Sequence, residues 1–528
     1  MSTAARLYPL FLLFILFLIS GCGGSGSGAA TTDVSGTVFA GPVTGATLVV
    51  KDPGGAVVAG PFTVSSSDGS FRVPVPTSSL RGALIFQATG GTYTDEATGT
   101  TGVPLGAFSA YAAPGAASAA PVTIDPASTI VQQLVARGSS LAAATRAFEN
   151  AFGFTPDSST APAFANVSSS AATPSRLAGV HAAYFSQLTK DLALAPERQS
   201  ELVAALADDL ADGTLDGRVG SLAVSTSSGT VLPEDIAVRF AAAAVNYLSS
   251  QNNKSRLAAD KIEAPVCGTI SITASYRVEY LAPAGGDLAG KDTFRFKVTK
   301  RSDGSAATGL AYGVVLSPLM VMGTMSGATT WPNAVVETGT PGTYAGTVYY
   351  SMATSGMNMY WRLRIDIGSE SAVFYPKVAA LPAGNTVSAK LSNNADKVGA
   401  GNRTYRIWRD SLTPASDGRY DLKVFVSSTD AGYAQPVFPG QQWSAPQMSL
   451  TAVELAISGD GSNWTPLSAE GTSGRYVAAA LSLAPGSTSR YYLRLRINGS
   501  TYTTNGGTPD GNANPTLSNG FASFSVTP

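Results

Sequence analysis

Residues Ile124–Val131, Ile-Asp-Pro-Ala-Ser-Thr-Ile-Val, mark the point where the chain changes from a strand pattern to a helix pattern. Asp125 is a residue type that caps helix N-termini, and Pro126 is favoured at the first helical position, where its missing N–H has no partner to lose. Apolar residues then follow at helical spacing, at Ile130, Val131, Leu134 and Val135. The stretch therefore predicts the start of a helical domain.

The chain before this boundary alternates short apolar strands with turns rich in Gly, Pro and Asp-Gly, as in Val34–Phe39 and Ser67–Val75. This pattern predicts a small β-sandwich over residues 33–123. The order Gly-Thr-Val, Gly-x-x-x-Gly-Ala and Asp-Gly-x-Phe resembles the carboxypeptidase-regulatory-like, or transthyretin-like, sandwiches of bacterial surface proteins. The resemblance implies a domain that spaces and supports its neighbours without catalysis.

The chain after the boundary keeps a helical pattern as far as residue 264. Helices are predicted at Leu141–Phe152, Pro174–Leu194, Pro196–Leu210 and Pro233–Leu248, with Gly153 ending the first of these. Residues 124–264 are therefore predicted to form a helical domain. A segment of this style resembles the helical part that follows such sandwiches in bacterial surface lipoproteins.

An internal repeat occupies the rest of the chain. Gly342–Tyr344 corresponds to Gly474–Tyr476, and Arg362–Ile365 and Arg494–Ile497 each begin 18 residues after the tyrosine of their copy. The remaining matches are Phe294–Val298 with Tyr420–Val424 and Trp331 with Trp464. Equal spacing predicts duplicated domains, with arginines on one face of a late strand and Leu and Ile on the other.

The predicted fold class is therefore multidomain β plus α. A β-sandwich and a helical bundle are followed by two tandem immunoglobulin-like β-sandwiches, over residues 265–385 and 386–528. In the first copy, Pro-Gly-x-Tyr at Pro341–Tyr344 and aromatic-x-Leu-x-Ile at Trp361–Ile365 resemble the FixH-like and YtkA-like group of periplasmic domains. That resemblance implies copper-related periplasmic neighbours.

The N-terminus predicts the location. Arg6 precedes an apolar run over residues 7–19 that is too short to span a bilayer, and Ile19–Cys22 resembles the lipobox of bacterial lipoproteins. The resemblance implies residues 1–21 as signal peptide, a diacylglycerol-carrying thioether at Cys22 with fatty acyl chains such as palmitate, and residues 22–32 as a flexible tether. Since Gly23 is not the aspartate that marks inner-membrane retention, the resemblance implies sorting to the outer membrane, with the protein facing the periplasm or the cell surface. An ordinary signal peptide with an incidental cysteine is the alternative.

Composition restricts the function. The 528 residues carry a net charge of −1, and 13% of them are charged against ~25% in typical domains, which argues against nucleic-acid binding and favours a β-rich extracytoplasmic protein. Two cysteines occur, so with Cys22 lipidated no intramolecular disulfide remains. Cys267 is interpreted as a small buried residue, with a reactive thiol as the alternative.

Catalytic machinery is hard to find, and no catalytic residue is predicted. The single histidine, His181, lies in a helical run and is interpreted as a satisfied structural residue. Asp208, Asp209, Asp212 and Asp216 do not fit an EF-hand and are interpreted as a solvated helix end capped by Gly213 or Gly217, with an irregular calcium site as the alternative. No cofactor is predicted, except copper as an alternative.

Six of the eight methionines lie within 40 residues of the first copy, at Met320, Met322, Met325, Met352, Met357 and Met359. Thioethers select Cu(I), so converging strands would give a copper site; apolar packing is the alternative. The aromatic and arginine residues of the late strands predict a binding face, at Tyr360, Arg362, Arg364, Tyr492, Arg494 and Arg496.

The function expected from these patterns is a non-enzymatic lipoprotein of the cell envelope that serves as a binding or assembly scaffold. Its partners would be the lipid bilayer, through acylated Cys22, and an unidentified envelope protein or polysaccharide. Soft-metal handling is the first alternative to this function, and a carboxylate-based hydrolase is the next.

Overall fold

The computed structural model describes residues 30–265, 268–322, 325–328, 330–381, 388–428, 435–444, 447–507 and 520–528, and of residues 325–328, 330–334, 416 and 444 it describes the backbone only. Strands dominate this part of the chain, and the six α-helices within it lie between residues 116 and 248. The predicted β-rich, multidomain organisation is confirmed.

The N-terminal β-unit, residues 30–124, consists of two main sheets with the strand orders β4-β1-β9 and β3-β2-β5-β8. Gly36 allows β9 to pair in parallel with β1, because a Cβ atom there would lie 2.1 Å from the carbonyl oxygen of Val122. The elements are β1 (Thr31–Val38), β2 (Thr47–Lys51), β3 (Val57–Thr63), β4 (Ser70–Pro76), β5 (Leu84–Thr89), β6 (Thr92–Tyr93), β7 (Val103–Pro104), β8 (Ala107–Ala112), α1 (Ala116–Ala119) and β9 (Val122–Ile124).

Helix α2 (Pro126–Ala136) begins directly after β9, as the sequence of this boundary predicts. The Asp125 carboxylate accepts the N–H of Ser128 at 2.7 Å, and the Ser128 hydroxyl accepts the N–H of Asp125 at 2.9 Å. This reciprocal capping box satisfies two donors at the helix N-terminus. The predicted cap at Asp125 and the first helical position of Pro126 are confirmed.

The helical unit, residues 126–264, continues with α3 (Leu141–Phe152), α4 (Thr173–Asp191), α5 (Gln199–Asp209), β10 (Arg218–Val219), β11 (Leu222–Ala223) and α6 (Ile236–Leu248). Helix α3 has the predicted bounds, with Gly153 in the left-handed conformation after it. The predicted start of the last helix at Pro233 is wrong by three residues. Glu234 and Asp235 form a turn there, because their carboxylates bond to Arg277 and to the N–H of Ile272.

Helix α6 has two apolar faces. Ile236, Phe240 and Tyr247 belong to a core that continues without a break into the N-terminal β-unit. Val238 and Ala241, on another side of the helix, belong to the core of the following β-domain. A helix buried on two sides joins the units before and after it, since neither face can be exposed without losing buried apolar area.

The first β-repeat, residues 268–381, has the sheets β12-β13-β14-β18-β17 and β16-β15-β19-β20, and side chains of both sheets share one core. Its strands are β12 (Ile270–Ile272), β13 (Tyr276–Leu281), β14 (Gly290–Lys300), β15 (Val314–Met322), β16 (Met325–Ala328), β17 (Thr330–Glu337), β18 (Thr343–Tyr350), β19 (Tyr360–Ile367) and β20 (Glu370–Phe374).

The second β-repeat, residues 388–528, has the sheets β21-β22-β23-β30-β29 and β28-β27-β31-β32, with β33 also paired to β31. Its strands are β21 (Ser388–Val398), β22 (Gly401–Pro414), β23 (Tyr420–Ser428), β24 (Gln435–Pro436), β25 (Gln442–Ser444), β26 (Gln447–Ser449), β27 (Val453–Ser458), β28 (Thr465–Pro466), β29 (Ser468–Ala469), β30 (Arg475–Leu481), β31 (Ser489–Ile497), β32 (Ser500–Tyr502) and β33 (Ala522–Val526).

The repeated Gly-x-Tyr motif has the same geometry in both copies. Gly342 and Gly474 have φ values of 71° and 72°, and each places its carbonyl 2.8 Å from a backbone N–H, of Val298 and Val426 respectively. The following tyrosines donate hydrogen bonds to backbone carbonyls, Tyr344 at 2.6 Å and Tyr476 at 3.0 Å. The predicted duplication is thus visible in hydrogen bonds as well as in spacing.

The strand register corrects one part of the predicted repeat. Phe296 lies opposite Tyr344, and Val424 lies opposite Tyr476. The predicted match of Phe294–Val298 with Tyr420–Val424 is therefore wrong by two residues. A shift of two keeps every side chain on its face of the sheet, so the alternation of the sequence could not reveal it.

Candidate functional site

The two cysteines, Cys22 and Cys267, lie outside the described residues, so the predicted lipidation and the predicted buried thiol stay predictions. Among residues 30–528, the described helices include none with the length and apolar character needed to cross a bilayer.

The methionines of the first β-repeat border one apolar core. Met320 and Met357 are buried in the core that also holds Trp361, and the partly exposed Met322, Met352 and Met359 pack against it. The side chain of Met325 is not among those that the structure describes. Met320 faces Trp361 in the first repeat, and Ile457 faces Leu493 in the second. Trp361 and Leu493 each lie 17 residues after the repeated tyrosine of their copy, so Ile457 occupies the position of Met320. This placement gives Met320 a packing role, and copper binding stays a prediction.

The predicted arginine faces exist. In β19, Arg362 and Arg364 are exposed while Leu363 and Ile365 are fully buried. In β31, Leu493, Leu495 and Ile497 are buried and the arginines between them are not; these are Arg494 and Arg496. Tyr360 is 6% exposed and lies in the core, so its predicted place on a binding face is wrong. It precedes Arg362 by two residues, but its ring packs near that of the buried Tyr375, with the ring centroids 6.3 Å apart.

The outer face of β19 combines a cation with apolar side chains. Leu319 of β15 is paired with Arg362, and Val315, which is 55% exposed, is paired with Asp366. Arg364 forms an ion pair with Asp366, with the Nε to Oδ1 distance 2.9 Å. Arg362 forms no ion pair within the described part of the chain, so it offers an uncompensated charge beside an apolar strip.

On the corresponding face of the second repeat, both arginines have partners. The guanidinium of Arg494 lies 4.7 Å from the ring centroid of Trp464, which in turn packs edge-on against Phe521 at 4.9 Å. Arg496 pairs with Glu454 at 3.0 Å. Tyr492 is half-buried on this face. Arg494 is thus engaged by stacking, whereas its counterpart Arg362 forms no ion pair within the described residues. Arg496 and its counterpart Arg364 are both paired.

His181 lies in α4 and is nearly buried. Its ring stacks on Phe154 with a centroid distance of 3.9 Å, and its Nε2 lies 3.0 Å from the Glu263 carboxylate. Burial acts to raise the pKa of Glu263, but the hydrogen bond and charge of His181 outweigh it and hold the pKa below its usual value. The interpretation of His181 as a satisfied helix residue is confirmed.

Beside His181 lies a cavity of about 370 Å³ that also contains Asp125 and Asp157. Burial raises the pKa of Asp125 to about 6, against the effect of its hydrogen bonds from Ser128. Asp157 accepts bonds from Ser159 and from the N–H of Thr160. Both carboxylates are therefore committed to backbone capping, and no serine or cysteine lines this cavity among the residues that the structure describes.

The acidic cluster after α5 holds a loop. Asp209 accepts backbone N–H groups from Gly217 at 2.9 Å and Arg218 at 3.0 Å, and Asp212 accepts that of Gly220 at 2.9 Å. The predicted Gly213 cap is confirmed by its left-handed conformation. The predicted solvation is wrong for Asp209, which is completely buried. The backbone N–H groups of the loop take the place of water around its carboxylate. Within the described ranges no group of three His, Cys, Asp or Glu side chains is placed to hold a metal ion.

The first repeat contains a buried carboxyl pair that the sequence patterns do not predict. Asp292 lies on the inward face of β14 with Phe294 and Phe296, and its carboxyl group bonds to that of Asp287, which also accepts the hydroxyl of Tyr280. Burial, followed by the bond and charge of Asp287, raises the pKa of Asp292 to about 8. An aspartate at an inward position of an alternating strand was the available signal.

Asp410, at the junction of the two repeats, is a second buried carboxylate that the sequence patterns do not predict. Its carboxylate is 3% exposed and lies 2.5 Å from the Tyr349 hydroxyl, 3.1 Å from Lys291 Nζ and 3.7 Å from Arg475 Nε. Asp410 is an extra residue between Arg409 and Ser411, which pair with consecutive residues of β23. This β-bulge re-aims the side chain toward the first repeat, and the β13 to β14 pairing has no such shift.

No protein-family model and no curated protein matches the sequence. Among solved structures, a chimeric titin Z1Z2-Z1Z2 tandem functionalised with a GRGDS peptide from fibronectin is similar over 48% of this chain and 96% of its own. Its sequence identity is 8% and its TM-score is 0.12, so this similarity carries no argument about fold or function.

Proposed function

We propose that this protein is a non-enzymatic, lipid-anchored scaffold of the bacterial outer membrane. In this proposal the N-terminal β-unit is a transthyretin-like sandwich, the helical unit supports it, and the two β-repeats are immunoglobulin-like sandwiches that carry the binding surface. Acylated Cys22 attaches the chain to the bilayer. The observation that carries the binding role is the contrast between the exposed arginine of β19 and its covered counterpart in β31.

Continuous packing supports a scaffold. One core joins the N-terminal β-unit to the helices, and α6 joins the helices to the first repeat. Tyr349 of the first repeat packs between Trp408 and Phe425 of the second, at centroid distances of 5.4 and 4.9 Å. A surface on the first repeat would therefore be held in a fixed orientation relative to the units beside it.

The composition of the β19 face supports a protein or polysaccharide partner with acidic groups. Arginine beside apolar side chains is enriched at interfaces, because its planar guanidinium pairs with carboxylates while the stem covers apolar surface. Arg362 lies next to Leu319, with Val315 on the same face of the sheet. A partner with an acidic group beside an apolar one would form an ion pair with Arg362 and bury apolar area against Leu319 and Val315.

The binding role can be tested by photo-cross-linking in the native cells. A photoreactive amino acid at Val315 should give a discrete adduct that disappears when Arg362→Glu reverses the charge. The matched control carries the same amino acid at Val336, an exposed valine on the other sheet of the first repeat, and should give no adduct. Equal products from both positions, or an adduct that survives Arg362→Glu, would contradict the proposed face.

The anchor is tested separately. Cys22→Ser should release the protein from the membrane fraction and remove the lipid mass from its N-terminal peptide, because the thioether is the attachment point. Retention of the variant in the outer membrane without lipid would contradict lipid anchoring and leave the test of the β19 face unaffected.

A further inference from the structure

The junction of the two β-repeats contains a cavity of about 590 Å³. This size lies in the range of small-molecule sites, which often occur between domains. Apolar side chains of both repeats form its walls, namely Leu288, Leu381, Leu412, Pro414 and Tyr420. The charged side chains that line it are Lys291, Arg409 and Asp410, and Thr527 and Pro528 line it as well.

Lys291 and Asp410 form an ion pair with each other. Asp410 lies 3.1 Å from Lys291 Nζ, and on its other side it receives the Tyr349 hydroxyl and approaches Arg475. The carboxylate is therefore already surrounded by donors. It is not available to neutralise Arg409, although the two residues are adjacent in the chain.

Arg409 is the remaining charged side chain. Its side chain is partly buried, and burial lowers the pKa of its guanidinium from the ordinary value. Within the described residues its guanidinium forms a single hydrogen bond, from Nη1 to the carbonyl oxygen of Ser525 at the long distance of 3.4 Å, and no carboxylate pairs with it. A partly buried guanidinium with free donors that face a cavity is suited to binding an anion there.

We propose that this cavity binds a small organic carboxylate through Arg409. The planar guanidinium matches a carboxylate in a bidentate arrangement, which is stronger and more directional than a neutral hydrogen bond. The apolar walls would cover the hydrocarbon or ring body of the ligand. They favour an organic over an inorganic anion, because an inorganic ion would leave Leu288 and Leu412 uncovered.

The same β-bulge creates both features of the site. Because Asp410 is the additional residue in β22, it turns toward the first repeat and Arg409 stays beside the cavity. The site needs both repeats, since Lys291 and Leu288 come from one and Arg409 and Tyr420 from the other. It is independent of the β19 face and of the lipid anchor.

Isothermal titration of the full chain, purified in detergent, tests the proposal with benzoate, 4-phenylbutyrate and glucuronate, each beside its neutral amide, and with inorganic phosphate. At least one carboxylate should bind, and its amide should bind about tenfold or more weakly, as expected for a charge-assisted bond. Arg409→Gln should abolish the difference. Arg409→Lys, which keeps the charge but loses the planar fork, should retain part of it.

Arg419→Gln is the matched control, since Arg419 is exposed in the same repeat and does not line the cavity. It should bind the carboxylate like the parent protein. The proposal is overturned if none of the three carboxylates binds up to about 10 mM, a very weak affinity. It is also overturned if phosphate binds while they do not, or if a folded Arg409→Gln variant, with unchanged melting temperature, binds them equally well.

Discussion

The two β-repeats share a framework and differ at its surface and ends. Each has a glycine at positive φ, a tyrosine bonded to a backbone carbonyl, and a late strand with buried Leu and Ile between arginines. The first repeat has an exposed Arg362 and a buried carboxyl pair. The second has one arginine stacked on Trp464, another paired with Glu454, and a β-bulge at Asp410.

This comparison separates what the fold requires from what a particular repeat does. The glycine and the tyrosine satisfy backbone groups where two strands meet, so both copies need them. An exposed arginine or a buried Asp410 satisfies no such requirement of the sandwich itself. Differences at these positions therefore indicate where the repeats have separate roles.

The largest expected effect concerns the junction. Asp410→Ala should lower the free energy of unfolding by about 3–5 kcal/mol, because Lys291 would lose the partner of a buried ion pair. Urea denaturation of the full chain measures this change. Glu454→Ala removes an exposed ion pair in the same repeat and should cost less than about 1 kcal/mol. Equal losses would show that the Asp410 contacts do not hold the repeats together.

A smaller and equal effect is expected at the shared glycines. Gly342→Ala and Gly474→Ala should each cost about 2 kcal/mol, because alanine is strained at positive φ and its Cβ would lie 2.9 Å from the carbonyl oxygen of Val298 or Val426. Local unfolding measured by hydrogen exchange in β18 and β30 resolves the two copies. A large effect in one repeat only would mean that the framework is not shared.

The repeats should respond differently to pH. The pKa of Asp292 is raised from 3.8 to about 8, so the unfolded chain loses this proton first as the pH rises. The associated stability is complete below about pH 4 and is lost as the pH increases to about 8. Hydrogen exchange, corrected for the intrinsic rate, should show this loss in β14 and not in β23, where Tyr420 stands at the register position of Asp292.

The expected pH response has a specific control. Asp292→Asn should flatten the pH dependence of β14, because the amide cannot ionise. A dependence that persists in this variant would assign the effect to another group.

The smallest effect is expected for the methionines. Replacing Met320 and Met357 by Leu should cost about 1 kcal/mol or less, since the volume of the core is conserved. Anaerobic titration with Cu(I) should give the same weak binding before and after the change. Tight binding of one copper ion that the Leu variant loses would instead support soft-metal handling by the first repeat.

Local chemistry made much of the fold predictable. The cap at Asp125, the end of α3 at Gly153 and the arginine faces depend on residues within a few positions of one another, and the sequence displays them directly. The turn at Glu234 and Asp235 was not predictable in this way. Its carboxylates bond to Arg277 and Ile272, in a domain that the local pattern does not contain.

The candidate sites depended even more on distant contacts. The burial of Tyr360 results from the neighbouring strand and from Tyr375, and the cavity at Arg409 exists because two repeats meet beside a bulge. A bulge adds one residue to one strand, which an alignment of repeated motifs absorbs without a visible signal. Asp292 alone left a trace, as a polar residue in an inward position.

Helix α6 has a consequence for how such a protein can change during evolution. Domains are exchanged between genes most easily where a flexible linker separates independent cores. Here Phe240 and Val238 commit one helix to two cores, so a recombination event on either side of α6 would leave an apolar surface open to aggregation. The N-terminal β-unit, the helices and the first repeat should therefore be inherited as one block. The second repeat is joined to them through Asp410 and a small cluster of three aromatic rings, so its exchange would open the least apolar surface.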